Sequence, residues 1–276
     1  MTIFEALKSA EKKLSDLENG QFDAKMLLLF AFDITNEQYS MKKNEPCDTT
    51  RLAFFDELCK RRLAREPLQY IIGNWNFYGL DFKVEKGCLI PRPETEIIVQ
   101  TALSLNIKDC RFIDLCSGSG CIGISYAENN ISSSGILFDV SDDALEISNE
   151  NIIRYNLQNR VKSKKFDIFI DTIPHDTDIL MSNPPYINKN DMQKLDKELE
   201  FEPQIALYGG DDGLDFYRAI CQRQITCLKQ GAYIILEIGY DQSESVCELL
   251  KDNNCRVLDV IKDLSQIDRT ILAKKE

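Results

Sequence analysis

The feature that most constrains the fold is an alternation of strand-like and helix-like segments over residues 111–276. Strands that alternate with helices form mostly parallel sheets, because each crossover helix returns the chain to the same edge and covers one face. The predicted strands are FIDL (112–115), GILFDV (135–140), FDIFI (166–170), DILMSN (178–183), AYIILEI (232–238), CRVLDV (255–260) and RTILA (269–273), with helices predicted over 141–152, 215–228 and 242–250. We therefore expect an α/β fold with a mostly parallel, seven-stranded sheet.

The first 70 residues lack this alternation and are predicted to be helical. Apolar residues recur at helical spacing, Asp23 is expected to cap the second helix, and Thr49 or Thr50 the third. NWNFYGLDFKVEKG (74–87) then alternates apolar and polar residues around a Tyr-Gly turn, which predicts a hairpin. We expect a small helical domain over 1–72, a hairpin linker over 73–90 and the α/β domain over 91–276.

Charge limits the choice of partner. The net charge is −12 and the pI is about 4.8, so an extended nucleic-acid surface is disfavoured, because an acidic protein repels phosphate backbones. One concentrated basic run, KRRLAREP (60–67), has two interpretations. It is either a solvated helix face or a docking surface for an acidic partner or RNA.

Cysteine and histidine usage argues against a metal site. The chain has ten cysteines without a C-x-x-C pair and a single histidine, His175. The cysteines are expected to be small buried hydrophobes. The longest apolar run, MLLLFAF (26–32), is too short to cross a bilayer, and the N-terminus lacks a signal-peptide core. We expect a cytoplasmic protein.

A glycine-rich loop predicts a nucleoside site. DLCSGSGCIG (114–123) follows the first predicted strand, opens a helix and contains G-x-G-x-x-G. Glycine lets the backbone turn tightly and approach a ligand. Asp139 lies nineteen residues after Gly120 at a strand end, where a carboxylate can accept hydrogen bonds from ribose hydroxyls.

Two cofactor classes fit this loop. A dinucleotide-binding loop usually opens with glycine close to the strand, where this chain has Cys116. Asp114 ends the strand near where a zwitterionic amino-acid tail could lie. These features favour S-adenosylmethionine, which has a ribose and a methionine but no pyrophosphate. A dinucleotide remains the alternative.

The tetrapeptide NPPY (183–186) indicates the reaction. Its two prolines fix two φ angles and remove two donors, which makes a stiff loop. The Asn183 side-chain oxygen and the Pro184 carbonyl can accept both N–H groups of a planar amide or amino group, so that the nitrogen starts to pyramidalise and its lone pair becomes available. Tyr186 can stack on the planar group. The competing interpretation is a rigid turn without a catalytic role.

With these motifs, the chain resembles the class I S-adenosylmethionine-dependent methyltransferases with a Rossmann-like fold, in which NPPY is typical of enzymes that methylate planar nitrogens. More closely, it resembles the bacterial release factor glutamine methyltransferases, the protein-(glutamine-N5) methyltransferases also called HemK or PrmC. IPRPETE followed by NPPY is the specific part of the match. The matching segments are DAKMLL (23–28), REPLQYIIGNWNFYGLDFKV (65–84), IPRPETE (90–96), DLCSGSG (114–120), FDVS (138–141), SNPPYI (182–187), FEPQIAL (201–207) and LEIG (236–239).

The resemblance implies a helical domain that helps to dock the substrate protein, followed by the hairpin and a methyltransferase domain. The implied substrate is the glutamine of the Gly-Gly-Gln tip of class 1 peptide-chain release factors, and the donor S-adenosylmethionine would become S-adenosylhomocysteine. We expect a monomer with no membrane contact. The implied cofactor loop consists of Cys116, Ser117, Gly118, Ser119 and Gly120, and Asp139 would bind the ribose. The implied glutamine pocket consists of Asn183, Pro184, Pro185 and Tyr186, with Asn183 also touching the cofactor. Arg92, Pro93 and Glu94 would lie near the methionine tail or the pocket wall.

Two positions depart from the family pattern. Cys116 replaces the first loop glycine, so we expect its backbone to adopt a conformation open to a residue with a Cβ atom. Ile168, between Asp167 and Phe169, takes the place of an aromatic residue that lies beside the adenine in some relatives. We therefore expect aliphatic packing around the adenine.

Three other functions fit parts of the pattern. Exocyclic amino groups of DNA or RNA pose the same chemical problem, but the charge and the IPRPETE segment argue against them. A glutamine of a ribosomal protein is a second candidate substrate. A dinucleotide-dependent oxidoreductase or a non-catalytic binding module would leave NPPY without a role.

Overall fold

The computed structural model describes residues 1–276, which form two compact units. Residues 1–74 and 197–201 form the first unit, and residues 75–196 and 202–276 form the second. The short segment 197–201 thus belongs to the helical unit although it follows NPPY in sequence.

The first unit is helical. Its helices are α1 (Ile3–Lys13), α2 (Gly20–Phe32), α3 (Asn36–Lys42), α4 (Thr49–Leu63) and α5 (Leu68–Ile72). Asp48 caps α4 by accepting a hydrogen bond from the Arg51 backbone N–H, so the expected cap at Thr49 or Thr50 is wrong by one or two residues. The expected cap at Asp23 is also wrong, because α2 begins at Gly20 and Asp23 lies within it.

Asp23 instead forms a buried ion pair. Arg62, on α4, donates from Nε to the Asp23 carboxylate at 2.7 Å and from Nη2 to Glu198 at 2.6 Å. Arg61 is paired with Glu66 at 2.6 Å. Much of the basic run is therefore neutralised within the unit, and Arg62 has a structural position that neither interpretation of the run had included.

The hairpin consists of β1 (Asn74–Phe77) and β2 (Leu80–Lys83) and confirms the prediction for this segment. Phe77 and Phe82 lie in the hydrophobic core of the second unit. The Lys83 backbone N–H donates to the Asn151 side chain at 2.8 Å, which attaches the hairpin to the helix that carries Asn151.

The large sheet confirms the predicted fold class. Its strands are β3 (Arg111–Leu115), β4 (Ser134–Asp139), β5 (Val161–Lys165), β6 (Ile179–Ser182), β7 (Tyr233–Glu237), β8 (Cys255–Lys262) and β9 (Asp268–Lys275). Their spatial order is β5-β4-β3-β6-β7-β9-β8. Strands β3 to β7 are parallel, and β9 runs antiparallel to both β7 and β8.

Helices cover both faces of the sheet. The helices of the second unit are α6 (Glu96–Ser104), α7 (Cys121–Asn129), α8 (Asp142–Arg154), α9 (Lys189–Met192), α10 (Asp215–Ala219), α11 (Ile225–Cys227) and α12 (Ser243–Asp252), with a π-helical turn over Ile220–Gln224. One core contains residues of α6, α7 and α8, and the other contains residues of α10, α11 and α12. None of the helices is long and apolar enough to span a bilayer.

One predicted strand is wrong. FDIFI (166–170) forms a turn, closed by a hydrogen bond from the Ile170 N–H to the Asp167 carbonyl at 3.0 Å. The strand is the preceding VKSKK, β5, which escaped prediction because an edge strand rich in lysine has no apolar alternation. The apolar residues of FDIFI instead line a cavity, as described below.

Candidate active site

A cavity of about 190 Å³ opens at the carboxyl ends of β3, β4 and β6. The chain order of the sheet reverses here, because β4 follows β3 on one side while β6 lies on the other. Open α/β sheets bind ligands in such a crevice. Of the residues predicted for the site, those that line the cavity are Cys116, Gly118, Asp139, Ile168, Asn183 and Pro185.

The glycine-rich loop uses its own backbone N–H groups to hold its shape. Ser117 donates to the Phe138 carbonyl at 3.1 Å, Gly120 donates to the Ser117 carbonyl at 2.8 Å, and Gly118 donates to the Asp139 carboxylate at 2.8 Å. A pyrophosphate would need free N–H groups at this point, without a facing carboxylate. The loop therefore fits a donor without phosphates better than a dinucleotide.

Cys116 adopts a left-handed conformation, with φ at 57°. Our expectation of a conformation suited to a residue with a Cβ atom is wrong, because the left-handed region costs such a residue roughly 1–2 kcal/mol. The loop needs this turn to leave β3, and Cys116 adopts it in place of glycine while its side chain packs at the edge of the core.

Asp139 is placed to bind hydroxyl groups. Its second oxygen accepts a hydrogen bond from the Ser141 N–H at 3.0 Å, and each carboxylate oxygen retains a further lone pair. Burial raises the pKa of Asp139, while the backbone hydrogen bonds from Ser141 and Gly118 oppose that rise. A ribose diol donating to this carboxylate would stabilise its ionised form further.

Three polar residues of the loop region do not line the cavity. Asp114 has no solvent exposure and accepts from the Gly123 N–H at 2.9 Å, so it does not lie where a methionine tail could reach it. The hydroxyls of Ser117 and Ser119 are buried without a hydrogen-bond partner. Ser117, Ser119 and Gly120, which were predicted to bind the cofactor, do not line the cavity.

The cavity wall is aromatic where we expected it to be aliphatic. Ile168 is 5% exposed and lines the cavity as predicted. Four phenylalanines lie beside it in two ring pairs, Phe138 with Phe166 at 4.4 Å between centroids and Phe169 with Phe216 at 5.0 Å. Flat aromatic surfaces suit a purine ring, so the wall fits an adenosine-containing donor.

The NPPY loop is held by the segment that follows it. The Ile187 N–H donates to the Leu207 carbonyl and the Gly209 N–H donates to the Ile187 carbonyl, both at 2.9 Å. The Tyr186 carbonyl accepts from Gln242 Nε2 at 3.0 Å. Pro184 is buried, whereas Asn183 and Tyr186 are half-buried. The end of FEPQIAL thus braces the predicted catalytic residues.

Two residues that we had not predicted complete the site. Asn183 Nδ2 donates to Thr95 Oγ1 at 3.1 Å, and Thr95 Oγ1 donates to Glu237 Oε2 at 2.6 Å. The Tyr186 hydroxyl lies 3.4 Å from the other Glu237 oxygen. Thr95 and Glu237 belong to IPRPETE and LEIG, so the matching segments contained a signal that could have drawn attention to them.

Arg92, Pro93 and Glu94 do not line the cavity. Arg92 pairs with the buried carboxylate of Glu202, which also accepts from the Ile90 N–H at 2.9 Å. Pro93 and Glu94 are exposed. The Thr95 N–H donates to the Arg92 carbonyl at 3.1 Å, so the turn that begins at Arg92 carries Thr95. No three side chains of His, Cys, Asp or Glu converge as metal ligands.

Comparison with known proteins identifies the family. Residues 5–73 match the family model described as "PrmC N-terminal domain", and residues 94–199 match "Methyltransferase small domain". The catalytic domain of hMettl16, solved in complex with MAT2A 3'UTR hairpin 6, superposes with a TM-score of 0.56 at 18% identity, covering 72% of this chain and 76% of that one. At that identity the likeness concerns the fold alone.

The sequence relatives are much closer. The release factor glutamine methyltransferase of Clostridium botulinum is 37% identical over 275 residues, which are 95% of this chain and 95% of the relative. That of Clostridium acetobutylicum is 37% identical over 287 residues, covering 99% and 98% of the two chains. The chain therefore belongs to the release factor glutamine methyltransferase family.

Proposed function

We infer that this protein is an S-adenosylmethionine-dependent methyltransferase that modifies the side-chain amide nitrogen of the glutamine in the Gly-Gly-Gln motif of class 1 peptide-chain release factors. The observation that carries this function is the position of NPPY. It follows β6 directly and brings the Asn183 side chain into the cavity beside the glycine-rich loop.

The cavity fits the donor. Asp139 would hold the ribose hydroxyls, the loop at Cys116 and Gly118 would approach the donor closely, and the phenylalanine pairs beside Ile168 would pack on the adenine. When bound, S-adenosylmethionine supplies an electrophilic methyl group by breaking its S–CH₃ bond, which leaves S-adenosylhomocysteine.

The chain's own residues prepare the nucleophile. An amide nitrogen is a poor nucleophile because its lone pair is delocalised into the carbonyl. Asn183 Oδ1 and the Pro184 carbonyl would accept the two N–H hydrogens of the substrate glutamine, which favours a pyramidal nitrogen. Tyr186 would hold the amide plane and Pro185 would close the pocket. Fixed dipoles in a water-poor site act strongly on developing charge, and the surplus proton can leave after methyl transfer.

The finer assignments of domain and partner extend this proposal. Residues 1–72 would dock the release factor, and residues 73–90 would lead into the methyltransferase domain of residues 91–276. Support comes from exposed aromatic rings on the helical unit, including Phe22 and Phe54, because exposed apolar surface marks interaction sites. We propose that the enzyme acts as a monomer in the cytoplasm. The net charge of −12 disfavours a nucleic-acid substrate.

The test is the intact mass of an unmethylated release factor after incubation with this enzyme and S-adenosylmethionine. We expect a gain of one methyl group, which is absent when the glutamine of Gly-Gly-Gln is replaced by alanine. The variant Asn183→Ala should lower turnover by about 100-fold or more, because the substrate loses an oriented acceptor. An unchanged mass with an enzyme that binds the donor would contradict the function. Transfer to the ribosomal protein or to nucleic acid would then be measured.

A further inference from the structure

A buried chain of hydrogen bonds runs from the predicted catalytic amide into the protein interior. It begins at Asn183 Nδ2, passes through Thr95 Oγ1 and ends at Glu237 Oε2. Thr95 is 2% exposed and Glu237 is 1% exposed, so water does not compete for their hydrogen bonds. Neither residue lines the cavity. Thr95 contacts the site through Asn183, and the second oxygen of Glu237 also lies 3.4 Å from the Tyr186 hydroxyl.

The number of available donors decides which way the Asn183 amide points. An ionised carboxylate can only accept hydrogen bonds, so the Thr95 hydroxyl must donate its single hydrogen to Glu237. The Thr95 oxygen can then only accept a further hydrogen bond. Asn183 must therefore present its NH₂ group to Thr95, which leaves the carbonyl oxygen Oδ1 for the substrate.

We propose that Thr95 and Glu237 are positioning residues that set the orientation of the Asn183 amide, so that its oxygen and not its nitrogen meets the substrate glutamine. This inference rests on the proposed function and names residues that determine its efficiency. If the Asn183 amide were reversed, its NH₂ group would face a substrate N–H group that needs an acceptor. The amide nitrogen of the substrate glutamine would then not become pyramidal.

The orientation of the Asn183 amide depends on the charge of Glu237. The titratable and charged groups around it are Tyr186, Tyr217, Arg269, Glu94 and Cys121. Burial raises the pKa of Glu237 to about 7, against the opposing effects of the Thr95 hydrogen bond and of Arg269. Once protonated, Glu237 can itself donate to Thr95, which frees the Thr95 hydroxyl to donate to a reversed Asn183. The oriented, active form is thus lost as the pH falls through about 7.

The first experiment compares variants of Thr95 at saturating release factor and donor. Thr95→Val keeps the shape of the side chain but removes the hydroxyl, so kcat should fall by about 10- to 100-fold. Thr95→Ser keeps the hydroxyl and should restore most of kcat. Thr101→Val, at another buried threonine on the adjoining helix α6, is the matched control. Donor affinity, measured by calorimetry, should in all three variants change far less than kcat does in Thr95→Val, because Asp139 and the loop at Cys116 and Gly118, which also line the cavity, are unaltered.

The second experiment uses the pH dependence of kcat and includes the unmodified enzyme, so it does not depend on a variant that folds. Wild-type kcat should fall below about pH 7. In Glu237→Gln, kcat should be lower and independent of pH over this range, because glutamine carries a fixed donor and acceptor.

The possible failures can be told apart. A Thr95→Val enzyme with wild-type kcat, or a wild-type kcat that stays constant between pH 6 and 8, would overturn the positioning role while methylation itself persisted. A loss of donor affinity equal to the loss of kcat would also overturn it, since the effect would then be structural. If the wild-type enzyme did not methylate the release factor at all, the proposed function would fail and this inference with it.

Discussion

The carboxyl group of Asp114 has a strongly raised pKa. It is completely buried, one oxygen accepts from the Gly123 N–H, and the other has no hydrogen-bond partner. Burial raises the pKa of Asp114 to about 8, with a smaller contribution in the same direction from Asp139. A protonated carboxyl supports the turn into α7 without placing a charge in the core.

The raised pKa of Asp114 predicts how stability depends on pH. An unfolded chain releases this proton near pH 4, whereas the folded protein keeps it to about pH 8, so folding binds a proton in this interval. The free energy of unfolding should therefore fall as the pH rises from 5 to 8, by up to about 1.4 kcal/mol per pH unit from this group. In Asp114→Asn that contribution disappears, because an amide does not titrate here.

Urea unfolding at several pH values measures this effect. The exposed Asp259 provides a matched control, since Asp259→Asn should leave the slope of stability against pH unchanged. If Asp114→Asn kept the wild-type slope, the buried carboxyl would not be the group that binds the proton.

At the scale of elements, the stiffness of the NPPY loop has two sources. The prolines restrict the backbone locally, and this could be predicted from the sequence. The bracing by Leu207 and Gly209 could not, because these residues pair with Ile187 only once the chain has folded back. A Cβ atom on Gly209 would lie 2.6 Å from Tyr186 Cα and 2.7 Å from the Pro185 carbonyl oxygen, so only glycine permits this approach.

Gly209→Ala should therefore displace the NPPY loop. We expect kcat to fall by about 10- to 100-fold, since small displacements of catalytic groups have effects of this size, with a loss of roughly 1–3 kcal/mol in stability. The control is Gly79→Ala in the hairpin turn, where φ is 75° but a Cβ atom would meet nothing within 4 Å. That variant should lose about 1–2 kcal/mol of stability and keep its kcat. Steady-state kinetics and thermal unfolding of both variants test this prediction. Equal kcat values for Gly209→Ala and Gly79→Ala would contradict it.

The segment 161–170 shows why one element was predicted wrongly. Apolar residues normally indicate a buried strand, but Phe166, Ile168 and Phe169 are apolar because they line the cavity. The true strand, β5, lies at the sheet edge and has mostly exposed side chains. Periodicity reports burial and cannot tell a sheet interior from a ligand cavity.

At the scale of the whole molecule, the helical unit contains a segment from the distant part of the chain. Glu198 pairs with Arg62, which also binds the buried Asp23, although Arg62 and Glu198 are 136 residues apart in sequence. The desolvation of Asp23 raises its pKa, and the hydrogen bond from Arg62 opposes that rise. Removing Arg62 would leave Asp23 buried without its cation.

Arg62→Met should thus destabilise the helical unit by about 3–5 kcal/mol. Arg61→Met is the matched control, because the Arg61 pair with Glu66 is more exposed and its loss should cost less than about 1 kcal/mol. Adding Asp23→Leu to Arg62→Met should recover much of the loss, since the unpaired acid is then gone. Circular dichroism reports all helices, whereas the single tryptophan, Trp75, lies in the second unit. A loss of helical signal without a change in Trp75 fluorescence would therefore place the destabilisation in the helical unit. A change confined to Trp75 fluorescence would contradict the assignment.

The sequence alone determined the features that depend on neighbouring residues. The alternation of strands and helices, the glycine-rich loop after β3 and the NPPY loop after β6 all follow from short-range periodicity and backbone restriction. Motif order then placed the glycine-rich loop and Asn183 directly after strands that end at the same edge of a parallel sheet.

Only the tertiary structure decided which distant side chains meet. The pairing of Asn183 with Thr95 and Glu237, the phenylalanine wall of the cavity and the bracing of NPPY each join residues from separate elements. Such contacts depend on the strand order and on the packing of α6 and the 201–213 segment, which no local pattern encodes. The proposed orientation of the Asn183 amide rests on the same contacts, because hydrogen-bond donors can be assigned only when every partner is known.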